Sequence, residues 1–426
     1  MKRIPAGAVL GAVIVLLGAP PSLSAQYARD AVRPFWGIGG PGSRAEGMAQ
    51  AFTAIADDGN ALYYNPAGLA HLTATEFNVG LSHLNTGMQS GVSALANPSG
   101  ISATRLGNLS VVLPMTGNKW TIAAGVFNIR DFERSQLLQR SFGDTLVTET
   151  LLVSGRLTAL SVGMGYQVSP RLAVGYSAEL ISGNNRYDDT ESALENGNTI
   201  ASTFTHIEPN YIGMSIRFGI LLAPRPTWRV GLMVRPPLKL AVRETFYDDI
   251  DPSETEIEYE VTQPFLVRLG TALNLGPLLI SGDLQWQDFS QIRFESDLVD
   301  EFVNSAGDTL EIPIDAEINI TLRTQYRSVL GVAVGAELLL PVINMKLRGG
   351  YRYRPQFLGG ATAESAHQTF TLGASVAAVP GVKLDLAYSL TLWERDLSSS
   401  SIYWQSGINP LRGTAGRFTA NLVLRL

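Results

Sequence analysis

The chain contains no cysteine, so disulfides contribute nothing to its stability and thiol chemistry is excluded. Charge is also scarce. Asp, Glu, Lys and Arg together make 16% of the residues, against roughly 25% in an ordinary soluble chain. The four histidines, His71, His83, His206 and His367, share no metal-ligand spacing. No G-x-S-x-G elbow occurs, and Asp57 and Asp58, being adjacent, point to different faces. The sequence therefore predicts no enzyme, no cofactor and no metal site. It has no basic patch that would bind nucleic acid outside a predicted lumen.

Long apolar runs are missing too, with one exception. Ile4 to Ala19 is continuously apolar behind Met1-Lys2-Arg3, and small residues follow at Leu23-Ser24-Ala25. A basic start, a short apolar core and small residues before a cut make a secretory signal peptide. The expected signal is 1–25, with Gln26 as the first mature residue. The run is shorter than the roughly 20 residues of a membrane helix. No later segment is apolar enough to cross a bilayer as a helix, so an exported β-protein is expected.

What is present is alternation. "FTANLVLRL" sets Phe418, Ala420, Leu422 and Leu424 against Thr419, Asn421 and Arg425. "TALSVGMGYQV" sets Leu160, Val162, Met164 and Tyr166 against Ser161, Gly163, Gly165 and Gln167. The same dyad recurs in "RLAVGYSAEL" and "VKLDLAYSLTLW" over about ten residues each, as a transmembrane barrel strand requires. Strands are read near 75–85, 107–115, 119–130, 157–168, 171–182, 210–222, 227–247, 256–275, 278–290, 324–339, 342–354, 367–378, 382–395 and 414–426. Short links such as Thr116-Gly117-Asn118, Ser169-Pro170, Gly276-Pro277 and Pro380-Gly381 alternate with long polar stretches at 131–156, 183–209 and 291–323. Short inner turns and long outer loops are the barrel layout. The fold class is all-β: a transmembrane antiparallel barrel of about 14 strands over 73–426, in the outer membrane of a Gram-negative cell. Shorter strands with turns every 8–12 residues, as in a soluble sandwich, do not fit.

Residues 26–72 show no strand alternation, and a lumen of this width leaks unless something fills it. This segment is the expected hatch, or plug. Its motifs Gly42-Ser43-Arg44-Ala45, Gly47-Met48, Ala51-Phe52, Ala56-Asp57-Asp58 and Tyr64-Asn65-Pro66-Ala67-Gly68-Leu69 resemble the N-terminal hatch of the FadL family. Gln263-Pro264 before Arg268-Leu269-Gly270, and "LRGGYRY" at 347–353, fit as well. The resemblance implies a fourteen-stranded, hatch-plugged outer-membrane channel for passive uptake of long-chain fatty acids or other hydrophobic molecules. It places the gating element at Asn65, Pro66, Ala67 and Gly68. The same hatch pattern resembles PorV/PorQ-type barrels, which implies the alternative of a scaffold or cargo shuttle in protein secretion.

Strand parity sends Arg217, Arg229, Arg235, Arg268, Arg327, Lys346, Arg348, Arg352 and Arg354 inward, against fewer acids: Glu179, Asp283, Glu337 and Asp385. Arg pairs bidentately with carboxylates, which makes Arg348 and Arg352 the candidates for a ligand head group. Phe52, Ile55, Leu62, Tyr63, Tyr64 and Leu69 are the candidate hydrophobic ligand contacts, with plain packing of the hatch as the competing role. The acidic stretches "YDDIDPSETEIEYE" at 247–260 and 295–317 read as solvated loops. Expected partners are hydrophobic small molecules, outer-membrane lipid and lipopolysaccharide, and the barrel-assembly machinery through the C-terminal strand.

Overall fold

Alternating apolar and small polar residues cannot bury both faces of a strand, and in a closed sheet they need not. The computed structural model describes residues 31–35, 39–90, 99–115, 117, 119–142, 144–249, 252–303, 309–361, 363–395 and 411–426. The expected signal peptide, 1–25, lies outside the described residues. One antiparallel sheet closes on itself as a fourteen-stranded barrel. Its wall strands are β1 (Glu76–Ser90), β2 (Ser99–Pro114), β3 (Trp120–Asp131), β4 (Thr145–Ser169), β5 (Leu172–Glu195) and β6 (Asn198–Arg225). Then come β7 (Trp228–Arg235 and Leu238–Asp248), β8 (Thr255–Gln263 and Leu266–Leu275) and β9 (Leu278–Asp288, resuming at Arg293–Ser296). The last five are β10 (Ser328–Leu340), β11 (Met345–Arg354), β12 (His367–Val379), β13 (Val382–Arg395) and β14 (Leu411–Arg425). β14 pairs with β1 in unbroken register from Glu76↔Arg425 to Ser90↔Leu411, so no edge is left unpaired there.

Parity holds through the lower part of the wall. Leu160, Val162, Tyr176, Phe218, Leu384 and Phe418 lie exposed on the outside, forming the apolar band that faces lipid. Inward, Ser161, Ser177, Glu179, Arg217, Asp385 and Arg417 are buried.

The long polar stretches are not loops. β5 and β6 run on to a tight turn at Asn196-Gly197, where Asn196 takes a positive φ of 53°, so 183–209 is mostly ladder. Within 131–156, Arg134–Phe142 forms a hairpin with β4. Within 291–323 lie the end of β9, a separate two-stranded hairpin (Val299–Val303 with Thr309–Pro313) and a helix, α1 (Asp315–Gln325). Strand pairing continues past the lipid because backbone groups need partners in any environment. Only the side-chain signal changes, since neither face meets hydrocarbon there.

That change is an inversion. Pro236-Pro237, Pro264 and the short 3-10 turn Phe289–Gln291 interrupt three neighbouring strands, as proline must within a ladder. Above these breaks the outside carries Lys239, Arg243, Glu256, Glu258, Glu260 and Glu295, all exposed, while Leu240, Val242, Tyr259, Val261 and Phe294 point in and are buried. Lys239 bridges Glu260 (2.8 Å) and Glu295 (2.6 Å) across the outer surface. Ile318 and Leu322 of α1 close the top of this apolar core. Asp315 accepts from the Ser296 amide at 2.9 Å and Asn319 accepts from the Phe294 amide at 2.9 Å, fixing the helix to β9. The barrel thus carries a turret built like a soluble protein: charged outside, apolar inside.

The first described residues lie in that turret. Val32 and Phe35 are buried in its core, Phe35 lies edge-on to Phe289 at 5.6 Å, and Arg33 reaches Glu244 at 3.0 Å. Residues 39–72 then descend through the lumen to β1. This inner segment contains α2 (Ser43–Gly47), α3 (Ala61–Tyr64) and a 3-10 turn (Pro66–His71).

Inward glycines of the wall let the segment's backbone touch it. A Cβ on Gly175 would lie 2.4 Å from the Pro66 carbonyl carbon; on Gly335, 2.5 Å from the Met48 oxygen; on Gly231, 2.3 Å from the Thr53 oxygen. Gly270, Gly350 and Gly373 likewise admit the backbone of Ala54, Met48 and Gly47. Gly175→Val is expected to unseat the segment while the barrel still forms, since the intruding methyls meet backbone that cannot yield. In planar bilayers the variant should show raised ion conductance. Gly282→Val, whose nearest neighbour is 3.8 Å away, should conduct like the parent.

Candidate functional site

The inner segment is held by charges that the wall would otherwise bury alone. Ser43 heads α2 and meets Asn421 twice, its amide donating at 2.9 Å and its hydroxyl at 2.6 Å. Asn421 in turn donates to Asn78 (2.6 Å) and Asn108 (2.8 Å) on the next two strands. The neighbouring Arg44 donates to Glu337 at 2.9 Å and pairs with Asp57 of its own segment. Glu337 also accepts from Lys346 (2.9 Å) and Arg348 (2.7 Å), and Arg348 reaches on to Asp385 at 2.9 Å. Asp283 accepts the amides of Phe52 (3.1 Å) and Thr53 (2.9 Å), and Thr371 donates to the Gly47 carbonyl at 3.0 Å. Breaking a buried ion pair by removing one partner costs about 3–5 kcal/mol, because the other charge stays behind.

Asn65, Pro66, Ala67 and Gly68 form an anchor on the wall. The Asn65 amide donates to the Thr53 carbonyl (2.8 Å) and the Ile220 carbonyl of β6 (3.1 Å), and its oxygen caps Ala67 at 3.2 Å. Pro66 lies against Gly175, and Gly68 against the Ala56 carbonyl. Asn65 therefore ends α3, starts the 3-10 turn and pins both to β6.

The six apolar candidates separate. Phe52, Ile55 and Tyr64 pack among Ala45, Met48 and Ala54, with Phe52 and Tyr64 edge-on at 5.4 Å. Leu62 and Leu69 pack against Val112, Ala123 and Phe127 of the wall. Tyr63 alone of the six lines the chamber above the segment. Ile55 lines a second, lower space with Asp57, Arg229 and Leu339.

The upper chamber, of about 100 Å³ and partly open to solvent, lies between the inner segment and the turret core. Its floor and walls carry Arg130, Arg217, Arg235, Arg268, Arg352 and Arg354; its roof carries Phe35, Phe289, Phe357 and Val329. The Arg217 guanidinium sits 4.4 Å from the Tyr63 ring centre and that of Arg268 at 5.5 Å, a cation–π arrangement. Of the two head-group candidates, Arg352 lines this chamber, whereas Arg348 lies below it, occupied by Glu337 and Asp385. Parity gives the face a residue points to but neither its height nor its partner, so the chamber's Arg217, Arg235 and Arg268 carried no stronger signal than Arg348.

A model of the BamG family matches residues 11–246, more than half of the chain. The chain belongs to the BamG family. The fold of this BamG-family chain is similar to a Pseudomonas aeruginosa FadL homologue at 12% identity and TM-score 0.65, with 91% of this chain and 99% of that one covered. It is also similar to the Ralstonia pickettii toluene transporter TbuX (16% identity, 91% and 99% covered, TM-score 0.60). A third likeness is to the Pseudomonas putida toluene transporter TodX (16%, 92% and 98%, 0.57). The sequence likeness to FadL-type barrels is thus matched in the fold. None of the curated proteins matches the sequence.

Two changes probe the seat. Glu337→Gln leaves Arg44, Lys346 and Arg348 without their shared carboxylate. It should lower the unfolding free energy by about 3–5 kcal/mol, read as an earlier urea midpoint in detergent. Asp58, in the inner segment beside the first residue of β1, has its pKa raised from 3.8 to about 6 by burial and then by the nearby Glu76 carboxylate. The seated position is therefore most stable when Asp58 is neutral. That stability falls as pH rises from near 4 through about 6, by about 3 kcal/mol at 1.36 kcal/mol per pKa unit. Asp58→Asn should flatten the rise in thermal stability seen when the parent is taken from pH 7 to pH 5.

Proposed function

We propose that this barrel is an outer-membrane channel for passive inward movement of hydrophobic molecules such as long-chain fatty acids, with the inner segment as its hatch. A break in the wall is the observation that carries this reading. β2 pairs with β1 from Ser99 to Val112 but with β3 only from Asn108 to Pro114. β3 itself continues to Asp131, so its last residues have no partner on β2. Arg130, which lines the chamber, lies on this free stretch. A solute reaching the chamber has a route there to the lipid that avoids water, which a hydrophobic molecule needs.

Polar contacts between side chains and backbone close this seam in place of ladder bonds. Arg105 on β2 pairs with Asp131 (3.5 Å) and with Glu133, and the Thr86 hydroxyl donates to the Glu133 carbonyl at 3.0 Å. Such contacts can part without unravelling a strand, although Asp131 and Glu133 are buried and parting them from Arg105 carries a cost. In this reading solute enters past the turret, rests in the chamber beneath Phe35, Phe289 and Phe357, and leaves as Arg105 swings away and the hatch shifts. The toluene transporters with this fold make aromatic hydrocarbons a second class of solute to test.

Radiolabelled oleate and toluene supplied to cells with and without the gene test the reading. Uptake of at least one should fall several-fold on deletion, and Arg105→Ala should raise it above the parent rate. Equal uptake with and without the gene would remove the transport reading and leave a secretion scaffold as the alternative.

A further inference from the structure

The upper chamber holds more positive charge than a hydrocarbon or a single carboxylate can use. Arg217, Arg235 and Arg268 come from β6, β7 and β8, and they are 2%, 9% and 9% exposed. Each has one bonded side: Arg217 donates to Glu179 (2.8 Å), Arg235 to the Pro264 carbonyl (3.4 Å) and Arg268 to Gln285 (2.8 Å). Each also has one buried nitrogen without a hydrogen-bond partner among the described residues: Arg217 Nη1, Arg235 Nε and Arg268 Nη1. All three side chains line the chamber, as do Arg130, Arg352 and Arg354. A buried N–H without an acceptor is strongly disfavoured, and these three belong to side chains that line one chamber.

The lining holds a single carboxylate, Asp283. One of its oxygens is occupied by the Phe52 and Thr53 amides; the other has no partner. Glu179 lies outside the lining and balances one arginine. The chamber therefore remains strongly positive, with guanidinium side chains reaching it from three neighbouring strands. A carboxylate has one charge and two oxygens. A phosphate monoester has about −1.5 to −2 charge and three acceptor oxygens. Opposite the arginines, Phe35, Phe289, Phe357 and Val329 make an apolar roof.

We propose that the chamber binds an amphiphile with a phosphate head, the head held by Arg217, Arg235 and Arg268 and the tail set against the aromatic roof. This deepens the channel reading, since it names the class of molecule that occupies the same chamber. It also gives Tyr63 a part. The ring that Arg217 and Arg268 now flank belongs to the inner segment, so a head group drawing those guanidinium groups away loosens the segment's hold.

Equilibrium binding to the purified full-length barrel in a neutral detergent tests the proposal independently of transport. The probes are oleyl phosphate, oleate, oleyl alcohol and inorganic phosphate. Oleyl phosphate should bind at least tenfold more tightly than each of the others. Arg235→Gln with Arg268→Gln should weaken oleyl phosphate binding at least tenfold, with oleyl alcohol unchanged. Arg243→Gln, on the outside of the turret, serves as a charge control and should bind like the parent. Heat-modifiable electrophoretic mobility checks that each variant is folded, and Arg235→Lys with Arg268→Lys keeps the charge if the Gln pair fails to fold. Equal binding of oleate and oleyl phosphate would overturn the phosphate assignment, as would undiminished binding by a folded double variant. Inorganic phosphate binding as tightly as oleyl phosphate would overturn the amphiphile. If oleyl phosphate binds as described while cells show no uptake, only the transport reading falls.

Discussion

Glu337 sits among Arg44, Lys346 and Arg348, and this cluster joins the inner segment to the wall. A barrel of fourteen strands has a lumen too wide for its own side chains to fill, and lipid around it keeps the inward charges from relaxing into water. The wall alone would hold Glu337 and Asp385 against Lys346, Arg348 and Lys383, and Asp283 without its backbone donors. The inner segment supplies Arg44 to Glu337 and two amides to Asp283, and its arrival completes the wall's electrostatics. Inward glycines then set the distance: the backbone of 47–67 can reach those charges only where no Cβ stands in its way. Charge and close approach together make the segment part of the barrel interior rather than a loose filler.

The same arrangement divides the interior into layers. Above the segment lies an arginine-lined chamber, and above that a turret whose polarity is the reverse of the membrane wall. The breaks at Pro236-Pro237, Pro264 and Phe289–Gln291 mark where lipid stops deciding which face is apolar and water begins to. An amphipathic chamber at that border is a physical consequence, since it inherits a charged wall from below and an aromatic roof from above. The seam between β2 and β3 opens at the level of Arg130, beside this border.

Much of this was legible in the chain. Ser161 against Leu160, or Thr419 against Phe418, gave the lower wall its inside and outside, and counting such runs gave fourteen strands. The Ser43-Arg44 and Asn65-Pro66-Ala67-Gly68 motifs pointed to the segment that occupies the lumen. The turret was not read, although "LKLAVRE" and "EIEYEV" alternate as clearly as any membrane strand. Period two says that two faces differ but not which one is inside, and the dense glutamates suggested a solvated loop. Arg348 drew attention over Arg235 and Arg268 for a related reason. All three point inward, and only the third dimension shows that Arg348 is paired with two carboxylates below the chamber while the others line it.

If the seated segment closes the path, as we propose, it must leave Asn421 for anything to pass. The chain has no cysteine, so Ser43→Cys with Asn421→Cys offers a single defined cross-link between side chains now in hydrogen-bond contact. Oleate and toluene uptake into cells carrying this pair should be blocked under oxidising conditions and restored by reductant. Unchanged uptake of both with the cross-link fully formed would contradict the account.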